Sequence, residues 1–430
     1  MTLMIFNRSD GVDMDFFNDK RDWFFQKRLG MFIHWGIYSV NGLHEQELWR
    51  YARTPSEYYS CAERFTARHF NPAAWLDLMQ ENGFEYLVFT AKHHDGFCLF
   101  DTAETECKVT NTPFGRDVFA LLADECHKRD FPLEAYYSVV DWRHPAYPNL
   151  GGHHEIKTDP QHHNPAEYIA FVQRQVRELC SNYGELHGIW WDMNSANLQD
   201  ASMNDMVRKL QPSAVVNNRG FGPGDFSTPE RELIASAAAF ETPTEACESV
   251  GQLSWGYRRD ENYFTARFLE EKIARALASG GNFLLNAGPD AEGDFTPEAL
   301  AVIKEVGQWY KRVREALIQP LSPAYSTPES LVTRSEDNRS LYWILCQSPV
   351  TGKSYFPQAD RLPELTRAIL LNTGETLPVE NGSTYPGIPS CQRAIAGIPV
   401  DANLLPVVKL DFSDPLPLCP PAPEAGIPLK

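Results

Sequence analysis

The amino-acid sequence predicts an α/β protein: a (β/α)8-like TIM barrel followed by a C-terminal antiparallel β-sandwich. In the first part of the chain, short apolar runs alternate with segments whose apolar residues recur at helical spacing. Most of these runs end in polar side chains that can act in catalysis, as at the C-terminal face of a barrel. Beyond about residue 320, short β-type runs separated by Gly, Asn and Pro replace the helical pattern.

A series of apolar runs gives the predicted barrel strands. In chain order, each with the polar residue that follows it, they are 29–33 before His34, 86–91 before His93 and His94, 133–138 before Asp141, 188–191 before Asp192, 214–216 before Arg219, 237–240 before Glu241 and 283–285 before Asn286. Helical spacing lies between them at 118–127, 165–180 and 268–279. Because parallel strands point their carboxyl ends to one face of a barrel, these polar residues are expected to meet there.

A doubly wound open sheet is the structural alternative. It is disfavoured because no Gly-rich phosphate-binding loop follows the first predicted strand. In addition, polar residues end many of the predicted strands instead of clustering at one switch point. Both observations favour a closed barrel.

The change in pattern along the chain predicts the domain organisation. A catalytic barrel is expected over residues 1–320 and a β-sandwich over residues 321–413, where runs such as 340–346 and 368–371 have strand character. Residues 414–430 are rich in Pro and are expected to form an extended tail. A chain of 430 residues is long enough to bury a large core in such a barrel.

Composition and charge restrict the class of partner. The formal net charge of -18 argues against nucleic-acid binding, which requires clustered Lys and Arg, and favours neutral substrates. The nine cysteines form no CxxC pair, so we expect reduced thiols and neither a disulfide framework nor a zinc finger. Charged residues interrupt the first ten positions before any long apolar stretch, so no secretory signal, no membrane span and a cytoplasmic location are expected.

The stretch 188–194 places Asp192 at the end of a strongly apolar strand, directly after two Trp residues. Taken alone, this aspartate is as compatible with capping the next helix as with catalysis. Several other predicted strands also end in chemically able residues, and this favours an enzyme. Our working hypothesis is therefore that Asp192 is a catalytic nucleophile.

A set of motifs then gives a specific resemblance. In order along the chain these motifs are GMFIHWG at 30–36, KHHDGF at 92–97, YYS at 136–138 with Asp141 and Trp142, WWD at 190–192, SWGY at 254–257 and GGNFLLNAGP at 280–289. Together they resemble glycoside hydrolase family 29, the α-L-fucosidases, over residues 20 to 310. The resemblance implies a retaining hydrolase that removes terminal α-L-fucose through a covalent glycosyl-enzyme intermediate, without a metal or another cofactor.

Retaining glycosidases need two carboxyl groups, one as nucleophile and one as acid and then base. Asp192 resembles the nucleophile of the family. Two candidates for the acid/base stay open, with Glu241 and Glu248 behind them. Glu230 lies in a segment that resembles an acid-bearing loop, whereas Glu245 stands where many relatives have a Trp-Glu pair, although Thr replaces the Trp here.

The resemblance also implies residues that bind the sugar. These residues are His34, Glu47, Trp49, His93, His94, Tyr137, Arg219 and Trp255. Glu47 and Trp49 depart from the family pattern, because Leu48 separates a pair that is adjacent in many relatives. Trp255 or Phe32 could supply an apolar wall for the C6 methyl group of fucose. The expected substrate is a fucosylated glycan or a small fucoside, and the sequence gives no prediction of oligomeric state.

The sequence leaves two alternative functions. A metal-dependent barrel hydrolase could use His93 and His94 with Asp192, but neighbouring strand residues point to opposite faces and neither HxH nor HExxH spacing occurs. The doublets at 153–154 and 162–163 lie in a polar loop, which favours surface histidines. A carbohydrate-binding pseudoenzyme on the same scaffold would need a broken nucleophile or a missing acid. Asp192 is present, which argues against it, whereas the undecided acid/base keeps this alternative open.

Overall fold

A computed structural model describes residues 16–149, 154–156, 158–232, 234, 237–347, 349–356, 362–381 and 393–417. The barrel strands are β1 (Leu29–Ile33), β2 (Tyr86–Lys92), β3 (Leu133–Ser138), β4 (Gly188–Asp192), β5 (Val215–Val216), β6 (Glu245–Ser249) and β7 (Asn282–Ala287). The α-helices are α1 (Trp23–Gln26), α2 (Glu47–Arg50), α3 (Pro55–Tyr59), α4 (Pro72–Glu81), α5 (Val118–Lys128), α6 (Pro165–Asn182), α7 (Ser202–Leu210), α8 (Ala266–Ala278) and α9 (Pro297–Leu317). The expected alternation of strands and helices is thus present.

The barrel sheet is parallel throughout, with strand order β5-β4-β3-β2-β1-β7-β6. It is curled so that β5 and β6 approach each other. The segment 226–230 lies between these two edges, where Phe226 bridges to Asn217, Ser227 to Thr244 and Glu230 to Cys247. A half-barrel sheet whose edges are joined by an irregular segment agrees with the predicted TIM-like fold.

Burial explains why the strands form. Every residue of β1, β2, β3 and β4 is buried, as expected for strands covered on both faces. The barrel interior holds a separate cluster that consists mostly of aromatic side chains. Its members are Phe24, Phe32, Tyr86, Val88, Tyr136, Trp190, Val215, Phe226, Cys247 and Leu284. The interior is therefore a packed core that opens only at the ends of the strands.

The three helices expected from periodicity are present as α5, α6 and α8, and their first turns follow ordinary capping rules. Asp117, Asn164 and Thr265 each accept a backbone N–H of the first turn, and α6 carries Pro at its first position. The long helix α9 begins in the same way at Thr296. The caps fix where each helix leaves the loop at the C-terminal face of the barrel.

The strand predicted at 237–240 was wrong. In the structure Ala237 and Ala238 lie in a bend, and the strand that pairs with β7 is β6, five residues beyond the predicted run. Three of the four residues in the apolar run are Ala, which has little β propensity. In contrast, β6 contains Glu245 and Glu248, so its sequence is not apolar. Both glutamates are buried because each finds polar partners inside the fold.

Antiparallel strands follow the barrel. They are β8 (Ser330–Arg334), β9 (Ser340–Leu345), β10 (Lys353–Phe356), β11 (Leu365–Leu370), β12 (Glu375–Leu377), β13 (Val379–Asn381), β14 (Arg393–Ala396) and β15 (Val407–Phe412). They form one sheet in the order β12-β11-β15-β9-β8 and a second in the order β10-β14-β13, which agrees with a β-sandwich. Most of the expected tail, residues 418–430, lies outside the described residues, and the proposed domain boundaries stay predictions. Within the described ranges, no helix combines the length and apolar character that crossing a membrane requires.

Candidate active site

A cavity opens at the C-terminal ends of the barrel strands. Its walls come from strand ends and from the loops that follow them. The lining residues are Phe32, His34, Gln46, His93, His94, Tyr136, His154, Trp190, Asp192, Met193, Arg219, Glu230, Cys247 and Trp255. Aromatic, imidazole and carboxylate groups therefore meet in one place, as the position of the polar residues after the strands predicts.

Asp192 ends β4 and lies at the bottom of this cavity. The Tyr136 hydroxyl donates a hydrogen bond of 2.6 Å to its Oδ2. Arg219 Nη1 lies 3.2 Å from its Oδ1, and His94 Nε2 lies 3.9 Å from its Oδ2. Only 8% of Asp192 is exposed. A hydroxyl donor and a guanidinium thus hold this carboxylate at the end of β4, where it can meet a bound substrate.

Glu230 contacts the same arginine as Asp192 does. Arg219 Nη1 donates to Glu230 Oε2 at 2.7 Å. The guanidinium is fixed by Thr228, whose Oγ1 accepts from Nε at 2.6 Å and whose carbonyl accepts from Nη2 at 3.0 Å. It also lies over the Trp190 ring, with 5.0 Å between Cζ and the ring centroid. Arg219 is thus held in a geometry that serves both carboxylates.

The shared contact limits the distance between the two acids. Oxygens of Asp192 and Glu230 lie 3.2 and 2.7 Å from one nitrogen, so they cannot be farther apart than the sum of these distances. A close approach of one oxygen from each acid is compatible with the roughly 5 to 5.5 Å between the carboxyl groups of retaining glycosidases. The spacing therefore suits attack by one carboxylate on the sugar.

Three histidines line the cavity next to the acids. His34 Nδ1 is 2.7 Å from Asn286 Oδ1, and His94 Nδ1 is 2.7 Å from Ser138 Oγ. Burial lowers the pKa of His34, and it lowers the pKa of His93 and His94 well below the usual value. These rings are consequently neutral at neutral pH and can both donate to and accept from sugar hydroxyls.

His93 and His94 both line the cavity, although neighbouring strand residues should point to opposite faces. The reason is that β2 ends at Lys92, so the two histidines lie in the loop beyond the strand. Their ring centroids are 4.0 Å apart. Within the described part of the chain, no group of three or more His, Cys, Asp and Glu side chains has the arrangement of a metal site.

Apolar rings form one wall of the cavity. The Trp255 ring centroid lies 5.5 Å from that of His34 and 6.3 Å from that of Phe32. The Trp255 backbone N–H donates at 3.0 Å to Glu45, a carboxylate that sequence reasoning missed. Glu45 also accepts the Ser254 hydroxyl, so it anchors the start of the SWGY motif.

Comparison with known proteins agrees with this geometry. A family model described as alpha-L-fucosidase matches residues 13–315. The chain belongs to the α-L-fucosidase family. The chain is 29% identical over 353 residues to the tissue alpha-L-fucosidase of Rattus norvegicus, covering 75% of this chain and 73% of that protein. Alpha-L-fucosidase isoenzyme 1 from Paenibacillus thiaminolyticus superposes with a TM-score of 0.80 at 27% identity, covering 92% and 99% of the two chains.

Glu245, the second acid/base candidate, does not reach the cavity of this fucosidase-family protein. It is the first residue of β6 and is fully buried in the barrel interior, towards the N-terminal ends of the strands. The Tyr86 hydroxyl donates to its Oε2 at 2.6 Å, and Trp190 Nε1 donates to its Oε1 at 2.9 Å. Burial raises the pKa of Glu245 to about 7. Two structural hydrogen bonds and no access to the sugar argue against a role in proton transfer.

Tyr137 also lies away from the cavity. Its hydroxyl donates to Gln175 Oε1 of α6 at 2.6 Å, on the outer face of β3. Tyr136, which sequence reasoning missed, points inward to Asp192 instead. Ser138, two residues from Tyr136 and therefore on the same face of β3, contacts the cavity histidine His94.

At the start of α2, the residue that lines the cavity is not the predicted Glu47 but its neighbour. Glu47 is fully buried and binds Asn41 Nδ2 at 2.9 Å and Arg53 Nε at 3.0 Å, outside the cavity. Its neighbour Gln46 lines the cavity. Trp49 packs against His154, which lines the cavity, with ring centroids 5.0 Å apart. Sequence reasoning named neither Gln46 nor His154 as a site residue.

The two remaining glutamates take other positions. Glu241 is exposed and lines a second groove, which shares Arg219 with the cavity. Glu248 is buried on the outer side of β6 and pairs with Lys272 of α8 at 2.7 Å. Of the candidate acids, only Glu230 shares a cavity with Asp192.

Proposed function

We propose that this protein hydrolyses terminal α-L-fucosides with retention of configuration, with Asp192 as nucleophile and Glu230 as acid/base. The observation that carries the assignment is the single guanidinium nitrogen of Arg219, which contacts both carboxylates inside one cavity. Membership of the α-L-fucosidase family supports the substrate class. The close approach of both acids to one nitrogen is compatible with retention.

In the first step of this mechanism, Asp192 Oδ attacks the anomeric carbon of fucose and the bond to the leaving oxygen breaks. Glu230 gives its proton to that oxygen, so the aglycone leaves as an alcohol. In the second step Glu230 takes a proton from water, and the resulting hydroxide replaces Asp192 on the anomeric carbon. Both carboxyl groups return to their starting state, and fucose leaves with its original anomeric configuration.

The neighbours of Asp192 support its role as nucleophile and leaving group. Tyr136 and Arg219 stabilise the negative charge of the free carboxylate and receive it again when the covalent ester breaks. The Asp192 carboxylate, beneath the sugar ring, stabilises the positive charge that develops on the ring in each transition state. Hydrogen-bonded, partly buried donors keep that geometry fixed during both steps.

The neutral histidines and the aromatic wall support recognition of fucose. We infer that His34, His93 and His94 bind the sugar hydroxyls, and that Trp255 with Phe32 packs against the C6 methyl group. A cavity of buried donors and acceptors rejects sugars that leave those groups without partners. The substrate in this proposal is a fucosylated oligosaccharide or glycoconjugate, or a smaller fucoside.

A reducing compartment such as the cytoplasm belongs to this proposal. It is supported by the cysteines in the described part of the chain, which are free thiols: Cys61, Cys98, Cys107, Cys126, Cys180, Cys247 and Cys346. Disulfides are common in secreted proteins and rare in reducing compartments. Thiol titration of protein purified without reductant checks this expectation.

The first test of the proposed activity is the anomer released at early times from an aryl α-L-fucoside, followed by proton NMR. Retention predicts that α-L-fucose appears first and then mutarotates. Appearance of β-L-fucose first would contradict the double displacement. Asp192→Asn, prepared in parallel, controls for contaminating hydrolases, because it should release no fucose above the background rate.

A further inference from the structure

The segment that carries the proposed acid/base, residues 229–231, is held against β6 through its backbone. The Cys247 N–H donates to the Pro229 carbonyl at 3.1 Å, and the Arg231 N–H donates to the Cys247 carbonyl at 3.0 Å. These bonds fix the direction of the chain on both sides of Glu230. They leave its side chain 37% exposed, with Arg219 as its ion-pair partner.

Arg231 directly follows the proposed acid/base and has an unusual backbone. Its φ of 55° lies in the left-handed region, which non-glycine residues adopt at a cost unless surrounding contacts stabilise it. Its Nη1 lies 3.1 Å from Glu248 Oε1 and donates to the Gln252 carbonyl at 3.1 Å. Its guanidinium also lies over the Trp255 ring, 4.6 Å from the centroid.

Glu248 links this arginine to helix α8. The Lys272 Nζ lies 2.7 Å from Glu248 Oε2 and also donates to the Arg231 carbonyl at 3.1 Å. Glu248 and Lys272 are 2% and 6% exposed. A buried ion pair has a large desolvation cost, which close geometry and additional hydrogen bonds offset. Here the additional hydrogen bond joins Lys272 to the carbonyl of Arg231, the residue whose backbone is left-handed.

The direction of Glu248 follows from its place in β6. Cys247 lines the cavity, and the next residue along the strand points to the opposite face. Glu248 therefore stands behind the cavity wall and does not line it. A carboxylate in that position can affect the reaction only through the residues that it holds.

We propose that Glu248 is a positioning residue for the reaction, and that with Lys272 it fixes Arg231 and thereby the orientation of Glu230. The proposal rests on the proposed function, because it assigns proton transfer to Glu230. Loss of the carboxylate removes the ion pairs that hold Arg231 and Lys272, while Asp192 keeps its partners Tyr136 and Arg219.

The test compares two substrates that differ in their need for an acid. A fucosyl disaccharide has a poor leaving group and depends on proton donation, whereas an aryl fucoside with an acidic phenol does not. We expect Glu248→Gln to lower kcat for the disaccharide about 10-fold, with KM changed less than about 2-fold and the aryl fucoside affected less than about 2-fold. An equal loss on both substrates, or no loss on either, would overturn the proposal.

A matched control is Glu271→Gln. Glu271 lies next to Lys272 on α8 and pairs with Arg267 at 3.2 Å and Arg275 at 2.8 Å, away from the cavity. It should leave both substrates unchanged, although it also removes a carboxylate from ion pairs. Lys272→Met provides a second variant if Glu248→Gln does not fold, and it must show the same dependence on the leaving group.

Glu230→Gln is measured beside these variants so that two failures can be told apart. If Glu230→Gln loses activity equally on both substrates, the assignment of the acid/base fails. If Glu230→Gln is selective for the disaccharide and neither Glu248→Gln nor Lys272→Met is, only the positioning role of Glu248 fails.

Discussion

Two pairs of carboxyl groups lie inside this barrel, and their surroundings differ. Asp192 and Glu230 line the open cavity and share Arg219. Glu134 and Glu245 lie in the interior towards the N-terminal ends of β3 and β6, fully buried. Each pair has a tyrosine hydroxyl donor at 2.6 Å, Tyr136 for Asp192 and Tyr86 for Glu245. Donor geometry alone therefore does not distinguish a catalytic pair from a structural one.

The two pairs differ in their cationic partner and in their exposure to solvent. Arg219 contacts both acids of the cavity pair, whereas the interior pair is closed to solvent. Neither oxygen of Glu134 has a hydrogen-bond partner within the described residues, and a Cβ at Gly188 would lie 2.3 Å from its Oε2. Burial and the nearby Glu245 raise the pKa of Glu134 well above its usual range. Without a cation, such a pair retains a proton. At the cavity, Arg219 instead contacts both acids, and the opening admits a sugar.

Trp190 separates the two pairs. Its ring stacks under Arg219 and lines the cavity, while its Nε1 donates to Glu245 in the opposite direction. The interior pair thus contacts the floor of the site from below, and neither of its glutamates lines the cavity. Equivalent variants in the two pairs should therefore affect different properties: catalysis for the cavity pair and stability for the interior pair.

The largest expected difference is between Glu230→Gln and Glu245→Gln. Because Glu230 is the proposed proton donor, its variant should lower kcat/KM for a fucosyl disaccharide by about 10²- to 10⁴-fold. Glu245→Gln keeps an acceptor for Trp190 and should change the same constant by less than about 10-fold. Steady-state kinetics of the two purified variants give the answer. A larger loss in Glu245→Gln would reverse the roles of the two pairs.

The tyrosines give the next test. Tyr136→Phe removes a hydrogen bond to a charged acceptor, which is worth about 1.5 to 3 kcal/mol, so kcat/KM should fall about 10- to 100-fold. Tyr86→Phe removes the equivalent donor from Glu245 and should lower the free energy of unfolding by about 1 to 3 kcal/mol with little change in kcat. Kinetics and urea unfolding, performed on both variants, check the pair. Equal kinetic losses would show that the distinction is wrong.

The pH dependence of stability is a smaller effect that belongs to the interior pair. The folded pKa of Glu245, about 7, is above its ordinary value of 4.5, so the folded state binds more protons between these pH values. This contribution to stability is full below pH 4.5 and is lost as the pH rises through about 7. Glu245→Gln cannot lose a proton, so its stability relative to the native chain should increase by about 1 to 3 kcal/mol over that interval.

Urea unfolding at pH 5 and pH 8 measures this difference. The buried histidines act in the opposite direction, since their lowered pKa values make stability rise with pH. They are present in both proteins and cancel in the comparison. A difference between the two proteins that does not change with pH would show that Glu245 does not titrate as the geometry indicates.

The smallest expected effect lies at the rim of the cavity. Gln46→Ala removes a polar side chain that lines the site and should raise KM about 3- to 10-fold. Glu47→Gln alters the neighbouring residue, which is buried against Asn41 and Arg53, and should lower stability without changing KM. Michaelis constants for an aryl fucoside distinguish them. A raised KM for Glu47→Gln with an unchanged KM for Gln46→Ala would support the sugar-binding role of Glu47 that the sequence suggested.

The sequence predicted the barrel strands well where most of their residues are apolar, as in β1 and β4. It misplaced β6 because that strand carries buried glutamates, whose partners Tyr86, Trp190 and Lys272 come from distant parts of the chain. Side-chain pattern cannot reveal such partners before the fold is known. The same limitation left the acid/base undecided between Glu230 and Glu245.

Neighbouring residues at the site were harder to assign than strand ends. Asp192 was identifiable because a carboxylate ends an apolar strand. Tyr136 and Tyr137 differ only in which face of β3 they occupy, and Gln46 and Glu47 differ only in their direction at the start of α2. A shift of one residue reverses a side chain in a strand. Such choices require the register, which only the structure supplies.

Azide rescue tests the assignment of the two acids most directly. Asp192→Gly should be inactive on an aryl α-L-fucoside and should recover turnover with azide, giving the inverted β-fucosyl azide. Glu230→Ala should instead give the retained α-fucosyl azide, since its nucleophile is intact, whereas Glu245→Ala should give no azide product. Activity of Asp192→Gly without azide, or an α-azide from Glu245→Ala in place of Glu230→Ala, would contradict the assignment.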